Sequence, residues 1–374
     1  MTRHLVVFGL SLSSSWGNGH APTFRGLLRA LDARDWQITF FERDVEWYAS
    51  NRDLPAPDFC DLRLYPTWSA AIPEAQAAIQ AADAVLVGSL VADGQAIVDY
   101  LAQHSPAPLL FYDIDTPVTL VELRQSRQTA YLRADQVPLF DVYYSFAGGP
   151  ALAELESTWG ATLAEPLYCG VDSLVYRPVT ADPRFACTLN YMGTFTADRQ
   201  PAVEHLLFAP ARARPEERFI LAGPQYPSMD LPPNVMHQMH VYPRDHAALY
   251  CSSRATLNLT RSAMREYGWA PSTRLFEAAA SGACIISDTW PGLEHFFSPD
   301  REILLAQTTH DVLRHLDALT PERRNTLAAA ARSRVLADHT YDRRAQQFEA
   351  ALERSAAGSA ARNTTRRQQW ANAS

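Results

Sequence analysis

Short runs of apolar residues alternate with helix-length segments along most of the chain, starting with LVVFGL near the N-terminus. Buried parallel strands read as continuous apolar runs, and the longer segments supply the crossover helices that parallel strands need. The pattern therefore predicts an α/β fold. The predicted strands are residues 4–10, 37–42, 84–88, 109–112 and 142–145 in the first half, and 188–192, 219–222, 235–241, 255–259, 283–287 and 302–304 in the second half.

A chain of 374 residues is long enough for two domains. The segment PLYCGVDSLVYRPV separates the two groups of strands, and its Gly and Pro residues mark a junction. We place the first domain at residues 1–168 and the second at 169–338. We expect residues 339–354 to form a helix that returns to the first domain. The low-complexity, basic residues 355–374 are expected to form a disordered tail.

Composition narrows the choice of partners and compartment. A net charge of -8 argues against a general binder of nucleic acids or anionic membranes. The five cysteines are scattered without a C-x-x-C pair, which favours a reducing compartment and no structural zinc. The N-terminal apolar run is too short for a signal peptide, and no transmembrane-length stretch follows. We expect a soluble, cytoplasmic protein; its oligomeric state cannot be read from the sequence.

The stretch APSTRLFEAAASGACIISD predicts a largely buried helix that carries one unexpected carboxylate, Glu277. With 100° per residue, Arg274, Glu277 and Ser281 form one narrow polar stripe. A capping box would place the acid three residues after the cap, and Glu277 follows neither Ser272 nor Thr273 at that spacing. An ion pair between Arg274 and Glu277 remains an alternative explanation of the stripe.

The start of this helix also fits a nucleotide diphosphate. Free backbone N–H groups favour a phosphate at a helix N-terminus, and Ser272, Thr273 and Arg274 add donors. A carboxylate one turn further, Glu277, can accept hydrogen bonds from the hydroxyls of a ribose.

A second candidate phosphate site lies in TLNYMGTFTADRQPAVEHLL, where a strand runs into Gly193 and Arg199 stands before a helix. Glycine lets the backbone approach a phosphate closely, and an arginine can neutralise its charge. The same segment is also compatible with an ordinary strand-turn-helix unit without a ligand. It supports a phosphate site only in combination with the helix that carries Glu277.

These segments resemble glycosyltransferases of the two-Rossmann GT-B type, close to the retaining family 4. The spacing from Gly193 to Arg199 resembles the family's diphosphate motif. LFEAAASGACIISD resembles the segment whose Glu binds the ribose, and CGVDSLVYRP resembles the interdomain linker. Together with FYDIDTPVTL and TLNLTRSAM, the similarity is greatest to CgeB-like (spore maturation) glycosyltransferases and spans most of residues 1–353.

The resemblance implies two Rossmann-like β/α/β domains facing across a cleft, with the nucleotide sugar on the second. It departs from the family at two positions. The first of the family's two Glu residues falls on Trp269, and the basic residue after the loop glycine is Thr194 here. Arg261 is a candidate to supply the missing charge, unless it is a solvated loop residue. The implied donor-binding residues are Gly193, Thr194, Arg199, Arg261, Ser272, Thr273, Arg274 and Glu277.

The loop after the first strand, SLSSSWGNGHAP, is the candidate acceptor side, because GT-B enzymes often place acceptors there. Gly17, Asn18 and Gly19 are the expected acceptor-binding residues, and His20 should begin the next helix. A merely flexible loop is the plainer alternative.

The same loop raises a dinucleotide-binding alternative, because Glu42 ends the second strand 23 residues after Gly19. The third glycine of that motif is Pro22, and the loop lies too far beyond the strand, so the motif fails.

FYDIDTPVTL places Asp113 and Asp115 at the end of a strand, where α/β proteins carry site residues. Together with His20 they are the candidate catalytic residues, one Asp serving as a base toward the acceptor or orienting a sugar. A helix-capping Asp and a metal-binding D-x-D are the alternatives. His237 and His240 have metal-like spacing without companions, and we expect no metal there.

We therefore predict a metal-independent glycosyltransferase without a cofactor. It would move a sugar from a UDP-, GDP- or dTDP-linked donor to a small molecule, glycan or protein, with no nucleic-acid partner. The alternatives are a nucleotide-sugar epimerase or hydrolase of GT-B type, and a non-catalytic sugar-nucleotide-binding protein.

Overall fold

A computed structural model of the chain describes residues 2–373, with side chains described as far as residue 357. The chain divides into two units. The first contains the chain up to Tyr168 together with the chain from Tyr341 onward, and the second is Cys169–Thr340. All five cysteines are free. In the described part of the chain, no helix combines the length and apolar character needed to cross a membrane.

The first unit is a parallel sheet of seven strands covered by helices. Its strand order is β3-β2-β1-β4-β5-β6-β7, and Val6 of β1 is aligned with Thr39 on one side and Val85 on the other. The strands are β1 (Arg3–Gly9), β2 (Trp36–Arg43), β3 (Asp61–Tyr65), β4 (Ala84–Gly88), β5 (Leu109–Asp113), β6 (Val142–Ser145) and β7 (Ala164–Pro166). The helices between them are α1 (His20–Asp32), α2 (Glu46–Ala49), α3 (Trp68–Gln80), α4 (Gly94–His104), α5 (Thr116–Ser126), a 3-10 turn (Ala134–Leu139) and α6 (Pro150–Ser157).

The second unit is a smaller parallel sheet of the same kind, with the order β10-β9-β8-β11-β12-β13. Its strands are β8 (Cys187–Met192), β9 (Phe219–Ala222), β10 (Val235–Gln238), β11 (Ser253–Asn258), β12 (Ile285–Ser287) and β13 (Leu304–Leu305). Helix α7 (Gln200–Val203) continues through a π-helical turn (Glu204–Phe208) into α8 (Ala209–Ala213). The other helices are α9 (Pro243–Ser252), α10 (Ser262–Tyr267), α11 (Thr273–Ala280), α12 (Thr309–Ala318) and α13 (Pro321–Asp338), with 3-10 turns at Pro183–Phe185 and Leu293–His295.

Both sheets follow the Rossmann strand order, in which successive strands are added first on one side of the first strand and then on its other side. The reversal lies between β1 and β4 in the first unit and between β8 and β11 in the second. Ligands of open α/β sheets bind outside the carboxyl ends of the strands at this reversal. The predicted pair of Rossmann-like domains is confirmed, and each has such a position.

The last helix, α14 (Tyr341–Ala373), packs on the first unit. The Phe348 ring stacks on Tyr144 with ring centres 5.0 Å apart, and the Tyr144 hydroxyl donates to the Phe348 carbonyl at 2.7 Å. The Glu349 carboxylate accepts hydrogen bonds from Trp36 and Arg34. This helix therefore completes the core of the first unit.

Two features of the fold differ from the expectations. The strands β3 and β7 were not predicted, because β3 (DLRLY) is largely exposed and β7 is three residues long with a proline; both lie at sheet edges. Helix α14 continues to Ala373, where a disordered tail was expected from Ser355. Its Ala, Arg and Gln residues have high helix propensity, which the low-complexity reading overlooked. Ser374 lies outside the described residues.

Candidate active site

The loop after β8 brings backbone and charge to the reversal point of the second unit. A side chain on Gly193 would place its Cβ 2.5 Å from both Arg274 Nη1 and the Tyr191 hydroxyl, so a larger residue would displace the ends of these two side chains. Arg199 caps helix α7 and is buried. Its Nη2 donates to the Thr194 carbonyl at 2.6 Å, so Thr194 contributes its backbone to holding this arginine.

Arg274 reaches the same loop from helix α11. Its Nη1 donates to the Met192 carbonyl at 2.6 Å, and its guanidinium lies 5.6 Å from the centre of the Tyr191 ring. Thr194 stands where the resembled family carries a basic residue. The Arg274 guanidinium brings a positive charge to the same loop from α11. Two charged side chains of the loop itself form hydrogen bonds: Arg199 donates to the Thr194 carbonyl, and Asp198 accepts the Ser262 N–H at 2.8 Å.

Three guanidinium groups, those of Arg199, Arg261 and Arg274, meet at this edge. Burial, followed by the nearby positive charges of Arg274 and Arg261, lowers the pKa of Arg199. None of the three forms an ion pair with a carboxylate of the described chain, and Nε of both Arg261 and Arg274 is buried without a hydrogen-bond partner there. The carboxylates of Asp198 and Glu277 interact electrostatically with these arginines, but three positive charges against two negative ones leave the cluster net positive, which attracts an anion.

Glu277 lies beside this cluster and is 8% exposed. The Tyr250 hydroxyl donates to Glu277 Oε2 at 3.3 Å, and burial followed by the charge of Glu277 raises the pKa of Tyr250 well above its ordinary value. Arg274 and Glu277 form no ion pair within the described chain, since Arg274 bonds the Met192 carbonyl instead. The charge of Glu277 nevertheless acts on the Arg274 guanidinium, so the helix pair stays an alternative explanation of the buried carboxylate.

The first residues of α11 lie where the helix meets β11. Ser272 is the N-cap but makes no side-chain cap hydrogen bond; its hydroxyl donates to Asn258 Oδ1 at 2.7 Å. Thr273, half-buried, is the first residue of the helix. The Ser272 hydroxyl is thus engaged with β11, and the backbone N–H groups of the first turn are the donors that this end offers an anion.

Trp269 occupies the loop between α10 and α11. Its backbone is left-handed, with φ of 45°, and its N–H donates to the Pro291 carbonyl at 2.7 Å. Its indole packs on the backbone of Gly292, where an added Cβ would lie 2.4 Å from the ring. An aromatic side chain in a strained conformation thus stands at the position of the family's first Glu.

In the first unit, Asp115 connects two other side chains at the carboxyl ends of the strands. His20 Nε2 and Asp115 Oδ2 lie 2.8 Å apart, and the Ser89 hydroxyl donates to the same oxygen at 3.0 Å. Asp115 makes no side-chain cap hydrogen bond to α5, so the capping alternative is wrong. The Asp115 side chain is 21% exposed against 5% for His20, which makes Asp115 the accessible member of the pair.

Asp113 has a different environment from Asp115, although only Ile114 separates them. It is fully buried, and it accepts hydrogen bonds from the Tyr143 hydroxyl at 2.6 Å and the Thr119 hydroxyl at 2.9 Å. Burial, with the charge of Asp115, raises the pKa of Asp113 to about 7. Its Oδ1 also accepts the Asp115 N–H at 3.1 Å. Asp113 therefore holds the backbone of Asp115 in place, and its own burial keeps it from contacting a substrate.

The loop of Gly17, Asn18 and Gly19 leads into helix α1, whose first residue is His20. Gly17 has φ of 69°, a left-handed conformation that favours glycine, whereas a Cβ on Gly19 would meet no atom. Asn18 Oδ1 accepts the Ala21 N–H at 2.9 Å and Asn18 Nδ2 donates to the Ser14 carbonyl. Asn18 therefore shapes the loop and the start of the helix.

The loop between β1 and α1 is held by Glu42, a buried carboxylate that the sequence analysis considered only as part of a dinucleotide-binding motif. Glu42, fully buried at the end of β2, accepts the Leu12 and Ser13 N–H groups at 2.6 and 2.8 Å and the Ser13 hydroxyl at 2.6 Å. The loop before His20 is thus tied to β2 and is not merely flexible.

Sequence reasoning did not single out several other polar residues at these two edges. Ser89 follows β4 directly, a position that the strand prediction could have indicated. The hydroxyls of Tyr143, Tyr191 and Tyr250 lie within or beside apolar runs and carried no signal of their own. His237 lies near the carboxyl end of β10, with Nε2 3.0 Å from the carbonyl of Gly223, a residue that packs on the Gly193 carbonyl. His240 contacts the Tyr242 ring. Among the described residues, no three His, Cys, Asp or Glu side chains are grouped so as to hold a metal ion.

Comparison with known proteins agrees with this architecture. Residues 199–350 match a protein family described as glycosyl transferase-like, a segment that starts at the second-unit loop and ends within α14. No curated protein sequence matches the chain.

Solved structures match almost the whole chain. A sucrose-phosphate synthase from Thermosynechococcus elongatus has a TM-score of 0.69 at 16% identity, over 96% of this chain and 100% of that chain. HepE from Anabaena, in complex with UDP and glucose, has a TM-score of 0.65 at 10% identity, over 94% and 99%. An alpha-glucosyltransferase in complex with UDP-glucose and DNA has a TM-score of 0.64 at 13% identity, over 94% and 94%. The predicted GT-B fold is confirmed.

Proposed function

We propose that the protein is a metal-independent glycosyltransferase that takes a sugar from a nucleotide diphosphate, with UDP as the first candidate. The observation that carries the proposal is the cluster of Arg199, Arg261 and Arg274, whose positive charges outnumber the nearby carboxylates of Asp198 and Glu277 and which keeps two buried N–H groups without a partner among the described residues. Structural neighbours that were solved with UDP or UDP-glucose support the choice of nucleotide.

The donor is held by the second unit. The diphosphate lies on the guanidinium groups and on the backbone at Gly193, and Glu277 accepts hydrogen bonds from the ribose hydroxyls. When the bond between the anomeric carbon and the diphosphate oxygen breaks, negative charge collects on the leaving diphosphate. The arginines are already in place to stabilise this charge, which is the function that a divalent metal serves in other transferases.

The acceptor is held by the first unit. Its hydroxyl hydrogen-bonds Asp115, which accepts the proton as the new bond to the anomeric carbon forms. His20 and Ser89 fix the orientation of the Asp115 carboxylate through the contacts at 2.8 and 3.0 Å, and Asp113 fixes its backbone. Asp115 is thus the proposed catalytic residue, and the other three are positioning residues.

Within the glycosyltransferases, the segments CGVDSLVYRP and PSTRLFEAAASG support a place near the CgeB-like proteins. We infer an acceptor other than nucleic acid from the net charge of -8, although one structural neighbour was solved with DNA.

The donor site is tested by comparing UDP with uridine, which lacks the diphosphate. UDP is expected to raise Tm and to bind measurably by calorimetry. Arg199→Ala and Arg274→Ala should each weaken UDP roughly 10- to 100-fold, because each loses a charge-assisted contact worth about 1.5–3 kcal/mol, and should leave uridine unaffected. Glu277→Ala should weaken both ligands alike, because it acts on the ribose.

Arg301→Ala is the matched control, since Arg301 is an exposed arginine of the second unit away from the cluster. The proposal is wrong if no nucleoside diphosphate binds, or if the cluster variants and the control bind UDP equally. If the protein binds UDP-glucose but releases no UDP over hours, the result favours the non-catalytic sugar-nucleotide-binding alternative instead.

A further inference from the structure

The first unit exposes large apolar side chains at the same edge that carries Asp115. Among its described residues, Trp16 is 50% and Trp47 is 58% exposed, and Leu90 is exposed as well. These three follow strands β1, β2 and β4, whose carboxyl ends meet at this edge. Exposed aromatic side chains at the edge that carries candidate site residues offer a surface for a ligand.

The two indoles are carried by backbone segments that are bound to each other. The Ser14 hydroxyl donates to the Asn51 carbonyl at 2.8 Å, and it accepts the Trp16 N–H at 3.3 Å. Asn51 Nδ2 in turn donates to the Trp47 carbonyl at 2.8 Å. The tryptophan pair, Trp16 and Trp47, therefore belongs to one fixed surface and not to two independent loops.

The tryptophan pair lies on loops that also carry the residues contacting Asp115, the proposed catalytic residue. Trp16 lies in the loop that Glu42 ties down, four residues before His20. Leu90 follows Ser89, the second residue that bonds Asp115, and has a left-handed backbone with φ of 59°. A ligand on the tryptophan pair would thus lie beside the loops that position Asp115.

The charges around the pair exclude an anionic partner. Arg52 donates to Asp44 at 2.5 Å, and Arg25 donates to both oxygens of Asp53 at 2.9 and 2.7 Å. Each guanidinium is therefore already neutralised by a carboxylate. Glu46, next to Trp47, adds an exposed negative charge. A phosphate, sulfate or nucleic acid would find no available cation here and would be repelled.

We propose that the tryptophan pair binds the acceptor and that this acceptor is a neutral saccharide; the inference rests on the proposed function. A pyranose ring has a face of C–H groups and a rim of hydroxyls. An indole covers the apolar face, and carboxylates such as that of Glu46 accept hydrogen bonds from the rim. Aromatic groups interspersed with carboxylates, without free cations, match this chemistry and not that of a polyanion.

The test uses the full chain on an array of neutral oligosaccharides, their sulfated and sialylated forms, and single-stranded DNA. Cellotriose, maltotriose and chitotriose represent the neutral arm. Only neutral saccharides are expected to bind. Calorimetry with the best of them should show at least a roughly tenfold weaker affinity for Trp16→Ala and for Trp47→Ala. Trp16→Phe and Trp47→Phe should retain most of the affinity, because a flat ring remains. Leu174→Ala, an exposed apolar residue of the second unit, is the control and should bind as the wild type does.

Preferential binding of DNA or of the charged glycans overturns the inference, as does saccharide affinity that the tryptophan variants leave unchanged. Absence of any saccharide binding by a protein that still binds UDP also overturns it, while the proposed function stands. Failure to bind UDP counts against the proposed function instead. The Tm of every variant, measured with and without UDP, separates a lost contact from a protein that has not folded.

Discussion

Asp113 and Asp115 illustrate how two identical side chains two positions apart acquire different tasks. Asp113 is the last residue of β5 and is buried in the core, whereas Asp115 lies beyond the strand as the N-cap residue of α5 and remains accessible. Burial makes the ionised form of Asp113 costly, which its hydrogen bonds from Tyr143 and Thr119 only partly offset. A carboxyl group of this kind makes stability depend on pH.

The raised pKa of Asp113 predicts that the first unit loses stability as pH rises. The pKa in the folded protein is about 7 against an ordinary value of 3.8. The stabilising contribution is therefore complete below pH 3.8 and is lost as pH rises through 7, with a slope of up to about 1.4 kcal/mol per pH unit. Asp113→Asn should flatten this dependence. Urea unfolding between pH 4.5 and 8 measures it.

Asp230→Asn, at an exposed aspartate, serves as the control and should keep the wild-type profile. Unfolding free energies of wild type and Asp113→Asn that run parallel over this pH range would contradict the prediction.

At the scale of elements, each site is assembled where a loop leaves a strand and a helix begins. The loop from Ser11 to Gly19 has no regular structure of its own, and its first part is held by the buried carboxylate of Glu42, while the Asp53 carboxylate accepts the Ser15 N–H at 2.9 Å. Such a carboxylate can accept four hydrogen bonds at once, which no neutral side chain of the same size can do. The loop therefore depends on an element that is distant in sequence.

Glu42→Gln should release this loop without unfolding the sheet. The amide has a single acceptor oxygen, so either the Leu12 and Ser13 N–H groups or the Ser13 hydroxyl lose their acceptor, at a cost of about 1–3 kcal/mol. Hydrogen exchange of peptides covering residues 10–19 should become faster, and acceptor binding should weaken while UDP binding persists. Glu46→Gln, at an exposed position, is the matched control for exchange. Unchanged protection of the loop in Glu42→Gln would refute its assigned role.

At the scale of the whole molecule, the chain starts and ends in the same unit. The core of the first unit is completed by α14, which is made about 340 residues after β1 begins. Phe348 and Glu349 contact Tyr144 and Trp36, and Arg344 donates to the Tyr168 carbonyl at 3.0 Å. The first unit therefore cannot form its final packing until the second has been synthesised.

Ending the chain after Thr340 should leave the first unit without its native packing, because Trp36 and Tyr144 lose their cover. Loss of buried aromatic contacts of this kind costs about 3–5 kcal/mol for a single Phe. Near-ultraviolet circular dichroism and limited proteolysis are expected to show a loosened first unit. A chain ending after Ala357 keeps the described contacts of α14 and should retain the wild-type Tm. Native packing in the shorter chain would show that α14 is dispensable.

Much of this organisation was predictable, because buried parallel strands impose continuous apolar runs on the sequence. Of the thirteen strands, the two that were missed, β3 and β7, are edge strands, where exposure removes that constraint. The donor-side residues could be proposed because a glycine at a strand end and a carboxylate in an apolar helix each violate the local pattern. Their roles remain predictions.

The sequence by itself determined the fold class, the position of the domain junction within PLYCGVDSLVYRPV, and the elements on which the candidate residues lie, since all of these depend on local periodicity and turn residues. Only the tertiary structure decided which side chains meet: Arg274 with the Gly193 loop, His20 with Asp115, and Glu42 with the loop from Ser11 to Ser13. These pairs are separated by 29 to 95 residues, and no local pattern encodes a contact at such separations. The different roles of Asp113 and Asp115 follow from their different burial. Burial depends on all the groups that surround a side chain, so the sequence alone did not predict it.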